Sequence, residues 1–364
     1  MIQKLAINKP IKDTKIVVAM SGGVDSSCVA VILKKMGYQV IGITLQLYDH
    51  GQALQKKGAC CAGADIYDAQ KIAAQFDFPH YVLNYESLFK ESVIDDFVDQ
   101  YTQGFTPIPC VRCNQSVKFR DLLKVAKDLK ADGLVTGHYI QKKDNKLFKA
   151  IDHTKDQSYF LFATTQEQIN YLHFPLGHLT KEQVRKLAQE NDIHISNKPD
   201  SQDICFVPDG NYAKIIKKHR PSAFKQGDII DANGQKLGTH DGIINYTIGQ
   251  RKGLGISAKD PLFVVKIDAK NNQIIVGGSE HLKKSQFSIN NINWLGNKKI
   301  PDNLTAKLRS SHKPIEIDIK INFDDKTAIV TTINPTRAIT PGQACVIYKE
   351  EQLLGGGWID KIIN

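Results

Sequence analysis

The sequence predicts an α/β domain built on a parallel sheet, followed by a small β-rich central domain and a C-terminal β-barrel. Three observations support this prediction. Strand-like and helix-like segments alternate over roughly the first two hundred residues, a pattern typical of a parallel sheet covered by helices. From about Gly210 the chain becomes rich in glycine and short β runs. In the last eighty or so residues apolar side chains recur at every second position, which indicates strands with one buried face.

The elements of the first domain can be predicted in order. A β-branched run at Lys15–Val18 predicts a strand, and Val29, Leu33 and Met36 recur at helical spacing until Gly37. The segments that follow are a strand at 38–47, a helix at 64–76, a strand at 80–85, a helix at 86–103, a proline-rich break, a helix at 116–131 and a strand at 133–137. In the mainly helical stretch after them, Thr180 and Gln183 predict a capping box.

The remainder of the chain predicts β structure. Ile315, Ile317, Ile319, Ile321 and Phe323 alternate strictly, and the adjacent aspartates at 324–325 predict a turn before a further strand. We therefore expect a catalytic domain at 1–209, a small β-rich central domain at 210–280 and a C-terminal barrel at 281–364.

Composition narrows the class of protein. The chain has 364 residues, with 48 Lys and Arg against 38 Asp and Glu and a net charge of +10, which suits a polyanionic partner such as nucleic acid. Seven scattered cysteines, an odd number, do not resemble a secreted disulfide framework. No apolar run is long enough to cross a membrane, and the N-terminal residues lack the apolar core of a secretory signal. We expect a cytoplasmic protein with no membrane partner.

A glycine-rich loop lies between the first strand and the first helix. Its sequence, Ser21-Gly22-Gly23-Val24-Asp25-Ser26, places backbone N–H groups at a sharp turn and a helix N-terminus, which together form an anion site. The Lys-Ser/Thr pair of a Walker A loop and the G-x-G-x-x-G of a dinucleotide turn are both missing. The string resembles the pyrophosphate loop of the N-type ATP pyrophosphatases, which split ATP between the α and β phosphates. That resemblance implies bound ATP and Mg²⁺.

Three cysteines stand apart from the others. Cys110 and Cys113 are expected in a loop just before a helix that begins at Asn114, where a helix N-terminus and nearby Arg112 would lower a thiol pKa. Cys205 lies far along the chain in a proline-flanked loop and is expected to come close in space. The alternative for a C-x-x-C pair is a zinc site, but a second pair or suitably spaced histidines are missing from the sequence.

Several motifs in a fixed order carry a closer resemblance. "AMSGGVDSS", "PCVRCNQSVKF", "TGHY", "KDQSYFLF", "SQDICFV", "GQRKGLGI" and "PGQACVIY…LGGG" are similar to those of the bacterial tRNA-specific 2-thiouridylases of the MnmA type. The resemblance runs from about Lys15 to the C-terminus. It implies an adenine-nucleotide α-hydrolase-like catalytic domain. It also implies replacement of the C2 oxygen of the wobble uridine by sulfur in the tRNAs for lysine, glutamate and glutamine.

The resemblance assigns roles residue by residue. Cys205 would carry a persulfide supplied by a relay from a cysteine desulfurase, and Cys113 would be the second thiol, leaving a Cys113–Cys205 disulfide to be reduced. The nucleotide residues are Ala19, Met20, Ser21, Gly22, Gly23, Val24, Asp25, Ser26, Leu45 and Gly137. Ile108, Pro109 and Cys110 match positions that hold the flipped target base, and His138, Lys155, Asp156, Gln157, Arg309, Ser310 and Gln343 match tRNA-contacting positions.

One position departs from the family. Many members have Asp where this chain has Cys110, so a D-x-x-C pattern becomes C-x-x-C. Cys110, Cys113 and Cys205 could therefore hold three irons of a 4Fe–4S cluster whose fourth iron binds sulfide. This cluster reaction is an alternative to the persulfide reaction.

Two further alternatives remain open. The chain could be another pyrophosphate-loop tRNA enzyme, such as a 4-thiouridine synthase or a lysidine synthetase. It could also be a nucleic-acid-binding module with a degenerate ATP site. The intact loop and the spaced cysteines favour a 2-thiolating enzyme.

Overall fold

The computed structural model describes residues 2–47, 63–200, 204–207 and 210–363. The chain divides into two compact units. The first comprises residues 1–93, 110–210 and 351–353, and the second comprises residues 94–109, 211–350 and 354–364.

A five-stranded parallel sheet in the order β3-β2-β1-β4-β7 forms the centre of the first unit. Its strands are β1 (Lys15–Ala19), β2 (Gln39–Gln46), β3 (His80–Asn84), β4 (Gly133–Thr136) and β7 (Leu172–His173). Ile16, Val17 and Val18 are fully buried, as expected for a strand covered on both faces. The predicted parallel sheet is confirmed.

Helices cover this sheet. They are α1 (Val24–Lys35), α2 (Gly63–Gln75), α3 (Glu86–Phe89), α5 (Pro109–Arg112), α6 (Leu122–Asp128), α7 (Gln166–Tyr171) and α8 (Lys181–Glu190). The predicted capping box of α8 is present, because the Thr180 side chain accepts from the N–H of Gln183 while the Gln183 side chain accepts from the N–H of Thr180. A short hairpin, β5 (Gln141–Lys143) with β6 (Lys146–Phe148), completes the unit and pairs with Gln352 and Leu353.

Two π-helical segments interrupt the helices. Lys90–Ile94 joins α3 to α4 (Asp95–Thr102), and Cys113–Asp121 joins α5 to α6. We expected a loop through Cys113 and a helix from Asn114, and this was wrong, because the helical backbone already begins at Pro109. Proline suits a first helical position, since its fixed φ is helical and its missing N–H would have had no partner there. Short π segments in helices occur frequently at functional sites.

The second unit contains two β structures. A four-stranded sheet has the order β10-β11-β8-β9, with β8 (Gly227–Ile230), β9 (Lys236–His240), β10 (Phe263–Asp268) and β11 (Gln273–Gly277). Six strands form a barrel in the order β12-β15-β14-β13-β16-β17, which the β12–β17 pairing closes. They are β12 (Lys283–Trp294), β13 (Leu304–Lys307), β14 (Ile315–Asn322), β15 (Thr327–Arg337), β16 (Ala344–Lys349) and β17 (Gln352–Ile362). The predicted barrel is confirmed, and α9 (Tyr212–His219) precedes these strands.

Within the described ranges, the helices are too short or too polar to cross a bilayer.

Candidate active site

The glycine-rich loop between β1 and α1 has the geometry of an anion site. Gly22 has a φ of +70°, and a Cβ added there would lie 2.1 Å from the backbone oxygen of Asp65. The hydroxyl of Ser26 accepts from the N–H of Ser21 at 3.1 Å and donates to the carbonyl of Gly23 at 3.3 Å. Gly23 is the N-cap of α1 and offers no side-chain cap to the first-turn amides. The N-terminus of α1 therefore faces the turn without a side-chain cap, as an anion site requires.

Residues from three strand ends lie around this loop. A Cβ added to Gly137, the residue after β4, would lie 2.9 Å from the N atom of Ser26, so the two backbones are in close contact. Ala19 ends β1, and the N–H of Met20 donates to Ile43 of β2 at 2.8 Å. Leu45 is buried near the end of β2. The predicted nucleotide residues thus gather at the carboxyl edge of the sheet, where open α/β sheets bind their ligands.

Asp25 of the loop is held by groups that the sequence analysis did not identify. Both of its carboxylate oxygens accept from Lys181 Nζ, at 2.7 and 2.8 Å, and one also accepts from the hydroxyl of Tyr139 at 2.8 Å. The Lys181 side chain is only 11% exposed, whereas that of Asp25 is 30% exposed. Asp25 is therefore oriented by two donors while its carboxylate stays open to solvent.

Asp200 is the second carboxylate of this network. It accepts from Lys181 at 2.8 Å, from Lys155 at 2.7 Å and from Arg185 at 3.1 Å. Burial acts to raise the pKa of Asp200, but the hydrogen bonds and charges of Lys155 and Lys181 lower it to about 2. Burial, followed by the charge of Asp25, raises the pKa of Tyr139. At neutral pH Asp200 is therefore ionised and Tyr139 is a neutral donor.

A second lysine, Lys198, contacts both the loop and α2. Lys198 Nζ donates to the carbonyl of Gly22 at 3.0 Å and to the carboxylates of Asp65 and Asp68 at 2.5 and 2.7 Å. Burial acts to lower the pKa of Lys198, but its two carboxylate partners raise it. Lys198 is therefore a fixed cation that joins the left-handed turn of the loop to α2.

The three cysteines of interest differ in exposure. Cys110, in α5, is exposed, whereas Cys113, the first residue of the π-helical segment, is buried and Cys205 is half-buried. Because the helix begins at Pro109, Cys110 lies at the second helical position and Cys113 at the fifth, one turn beyond the helix N-terminus. The π segment packs against α3, and the Phe206 ring contacts that of Phe89 at 5.9 Å. The segments bearing Cys113 and Cys205 therefore both border α3.

Within the described ranges given above, no group of three or more His, Cys, Asp or Glu side chains is placed to bind a metal ion. All three cysteines are described, so their positions do not fit a shared 4Fe–4S cluster. A single Mg²⁺ held mainly by phosphates needs less from the protein, and the solvent-reachable carboxylate of Asp25 fits that requirement.

Most of the predicted tRNA-contacting side chains of the first unit have intramolecular partners. Lys155 pairs with Asp200, and Asp156 accepts from the N–H of Ala150 and from the backbone and hydroxyl of Ser158. Gln157 Oε1 accepts from the N–H of Tyr139 at 2.8 Å. Lys155, through Asp200, and Gln157, through Tyr139, are therefore connected to the charge network around Asp25. The Lys155 side chain is partly exposed.

His138 also lies inside the first unit. Its Nδ1 is 2.9 Å from the hydroxyl of Thr136, and its ring contacts Phe119 and Phe174 edge-on. Burial, with a smaller contribution from Lys118, lowers the pKa of His138 to about 3. The imidazole is therefore neutral at physiological pH.

The predicted residues of the second unit gather around one loop of the barrel. Arg309 donates to the hydroxyl of Thr340 at 2.9 Å, and Gln343 donates from Nε2 to the carbonyl of Thr106 at 2.9 Å. The N–H of Thr106 donates in turn to the carbonyl of Pro341. Ile108 and Pro109, which follow Thr106 after Pro107, are buried, whereas Ser310, next to Arg309, is exposed.

Sequence reasoning missed four residues of this site, which are Lys181, Asp200, Lys198 and Tyr139. One signal was available for Lys181, the first residue of α8, because helix N-termini favour acidic side chains over cations. Tyr139 follows the "TGH" string directly. Lys198 carries no local signal, since its three partners lie more than a hundred residues away. The partners of Asp200 lie 15 to 45 residues away, which is still beyond the reach of a local pattern.

Comparisons with known proteins agree with this geometry. Family models match residues 14–209, described as "tRNA methyl transferase HUP domain", residues 213–278, "tRNA methyl transferase PRC-barrel domain", and residues 284–359, "Aminomethyltransferase beta-barrel domain". The predicted fold class is confirmed: a parallel-sheet HUP domain, a PRC-barrel-like middle domain and a closed six-stranded barrel.

Curated proteins named "tRNA-specific 2-thiouridylase MnmA" match almost the whole chain. Those of Rickettsia massiliae (strain Mtu5) and Rickettsia felis (strain ATCC VR-1525 / URRWXCal2) are each 57% identical over 366 residues, covering 98% of this chain and 100% of the relative. That of Rickettsia canadensis (strain McKiel) is 56% identical over 365 residues, covering 98% and 99%. The resemblance found in the sequence is confirmed, and the chain belongs to the tRNA-specific 2-thiouridylase family.

Proposed function

We propose that the protein is an ATP-dependent tRNA-uridine 2-sulfurtransferase acting on the wobble uridine of the tRNAs for lysine, glutamate and glutamine. The observation that carries the proposal is the full-length identity of 57% to curated tRNA 2-thiouridylases. The anion loop at the sheet edge supports it, because the N-terminus of α1 has no side-chain cap and Lys181 holds the Asp25 carboxylate in place. The domain limits 1–209, 210–280 and 281–364 remain part of the proposal.

In the proposed first step, the C2 oxygen of uridine attacks the α-phosphate of ATP, and pyrophosphate leaves. This step makes AMP the leaving group, because a urea-like C2 oxygen is otherwise displaced only with difficulty. Residues Ala19–Ser26, Leu45 and Gly137 would bind the nucleotide, with first-turn amides of α1 facing the phosphates. Asp25 would hold Mg²⁺, which neutralises phosphate charge when bound.

In the proposed second step, sulfur replaces AMP. A relay from a cysteine desulfurase loads Cys205 as a persulfide. The Cys113 thiolate attacks the inner sulfur of that persulfide, which forms a Cys113–Cys205 disulfide and releases hydrosulfide. Hydrosulfide attacks C2 and AMP leaves, and a dithiol reductant later restores both thiols.

We propose that the flipped base is held by Ile108, Pro109 and Cys110. The tRNA backbone would be bound by Lys155 and, in the second unit, by Arg309, Ser310 and Gln343. For His138, Asp156 and Gln157 we propose an indirect role, because each of them hydrogen-bonds to a neighbouring part of the first unit. The basic excess of the chain suits this partner.

Labelled sulfur transfer tests the roles of the thiols. With a cysteine desulfurase relay, Cys205→Ser should accept no label on that segment, whereas Cys113→Ser should be labelled at Cys205 but form no 2-thiouridine. Cys28→Ala is the matched control, because burial, followed by the charge of Asp25, raises the pKa of Cys28 to about 12 and makes its thiol inert. Full thiolation by Cys205→Ser would contradict the proposal.

A further inference from the structure

The stretch from Lys198 to Asp200 contacts the nucleotide loop at two points. Lys198 Nζ donates to the carbonyl of Gly22 at 3.0 Å. Asp200 contacts Lys181 at 2.8 Å, and Lys181 contacts Asp25 at 2.7 Å. Because Gly22 and Asp25 lie on either side of the turn, these contacts fix the loop from both of its ends.

Neither helix propensity nor surface charge pairing accounts for these contacts. Lys181 is a cation at the first position of α8, where the helix dipole is unfavourable for it, and its side chain is largely buried. A buried charge costs free energy unless it is paired, and here two carboxylates flank it. Lys198 is likewise flanked by Asp65 and Asp68. The arrangement therefore depends on all of these charges together.

Arg185 fixes the backbone of the same stretch. Its guanidinium donates to the carbonyls of Ser196 and Lys198, each at 3.0 Å, and to Asp200 at 3.1 Å. Arg185 lies one helical turn after Lys181, so both side chains project from one face of α8. The stretch is thus attached to α8 by backbone and side chain alike.

The chain continues from this stretch to the proposed sulfur carrier. Cys205 follows Asp200 by five residues, so their Cα atoms lie within about 18 Å even if the connection is fully extended. At its far side, Phe206 packs against Phe89. Cys205 therefore lies, along the chain, between residues that contact the nucleotide loop and its charge network, Lys198 and Asp200, and a residue that contacts α3, Phe206.

We propose that Lys198 and Asp200 are positioning residues that couple the nucleotide loop to the segment bearing Cys205. The proposal rests on the proposed function, in which sulfur from Cys205 reaches a base activated at the α-phosphate. A nucleotide in the loop holds Gly22 and Asp25 in place, which in turn holds Lys198, Lys181 and Asp200 and restrains the segment that follows. Coupling between two sites is reciprocal, so sulfur on Cys205 also changes the affinity for nucleotide.

Alkylation of Cys205 in the full chain tests this coupling without tRNA or turnover. The rate of iodoacetamide labelling at Cys205 is measured by peptide mass spectrometry, with and without saturating Mg²⁺ and α,β-methylene-ATP for each variant. In the wild type, the nucleotide analogue should slow labelling at least fivefold. In Asp200→Asn the slowing should be less than twofold.

Asp152→Asn is the matched control. Asp152 also contacts Lys181, but through the backbone N–H at 2.9 Å rather than the ammonium group. This variant should keep the wild-type slowing. Lys198→Gln provides a second test should Asp200→Asn fail to fold, and it should also reduce the slowing to less than twofold.

The outcomes separate this proposal from the proposed function. If the wild type makes 2-thiouridine but nucleotide leaves Cys205 labelling unchanged, the coupling is overturned and the function stands. Wild-type slowing in folded Asp200→Asn or folded Lys198→Gln also overturns the coupling. If nucleotide slows labelling in the wild type but 2-thiouridine never forms, the proposed function fails while the coupling stands.

Discussion

Substitution of Gly22 by alanine should damage the nucleotide loop far more than substitution of its neighbour Gly23. The φ of +70° at Gly22 is a left-handed conformation, which costs a residue with a Cβ about 1–2 kcal/mol. The new Cβ would also lie 2.1 Å from the backbone oxygen of Asp65, so α2 and the loop must separate. Forced overpacking of this kind typically costs about 1–3 kcal/mol. We expect Gly22→Ala to lower the free energy of unfolding by about 2–5 kcal/mol, the sum of the two costs.

Gly23→Ala is the matched control. Gly23 has an ordinary φ of −92°, and its added Cβ would meet only the Ser21 hydroxyl at 3.4 Å. Its free energy of unfolding should therefore stay within about 1 kcal/mol of the wild type.

The assay can separate the two units. Helical circular dichroism during urea unfolding reports mainly on the first unit, which contains most of the helices. Both tryptophans, Trp294 and Trp358, lie in the second unit, so their fluorescence reports on the barrel. Gly22→Ala should lower the midpoint of the circular dichroism transition and leave the fluorescence transition in place. Equal midpoints for Gly22→Ala and Gly23→Ala would refute the reasoning.

Three further predictions follow from the site. Asp25→Ala should abolish tRNA-stimulated ATP–pyrophosphate exchange while tRNA affinity in a filter-binding assay changes less than threefold, and parallel loss of both would contradict the role of Asp25. The logarithm of tRNA affinity should fall linearly and steeply with the logarithm of salt concentration as counterions are released, and a flat response would show that the basic excess does not face tRNA. Burial lowers the pKa of His138 to about 3 in the folded protein, whereas the unfolded side chain titrates near pH 6.5. The neutral imidazole therefore contributes fully to stability above about pH 6.5, and this contribution is lost progressively as the pH falls to about 3. His138→Gln should therefore lose less stability between pH 7 and 5 than the wild type in thermal unfolding, and identical losses would contradict this assignment.

Local sequence patterns were enough to predict the sheet, the loop and the barrel. β1, the glycine loop and α1 are contiguous, so apolar periodicity and glycine placement define them without knowledge of the rest of the chain. The strict alternation of β14 similarly predicts a strand with one buried face. Gly137 was placed by resemblance, and its close contact with Ser26 shows why a side chain does not fit there.

The charge network around Asp25 could not be predicted from local patterns. Lys181 lies 156 residues away along the chain and Tyr139 lies 114 away, so only the tertiary fold brings them to the loop. The start of the helix at Pro109 was missed for a different reason. The prolines at 107 and 109 favoured a loop, yet a proline at the first helical position begins a helix rather than preventing one.

The central claim is that ATP activates a wobble uridine for replacement of its C2 oxygen by sulfur. The most direct measurement combines purified protein, Mg²⁺, ATP, a persulfide-generating relay and unmodified tRNA for glutamate, and then quantifies nucleosides and nucleotides by mass spectrometry. We expect one AMP and one pyrophosphate for each 2-thiouridine formed at the wobble position. Thiolation at another uridine or at C4, or 2-thiouridine formed without AMP, would contradict it.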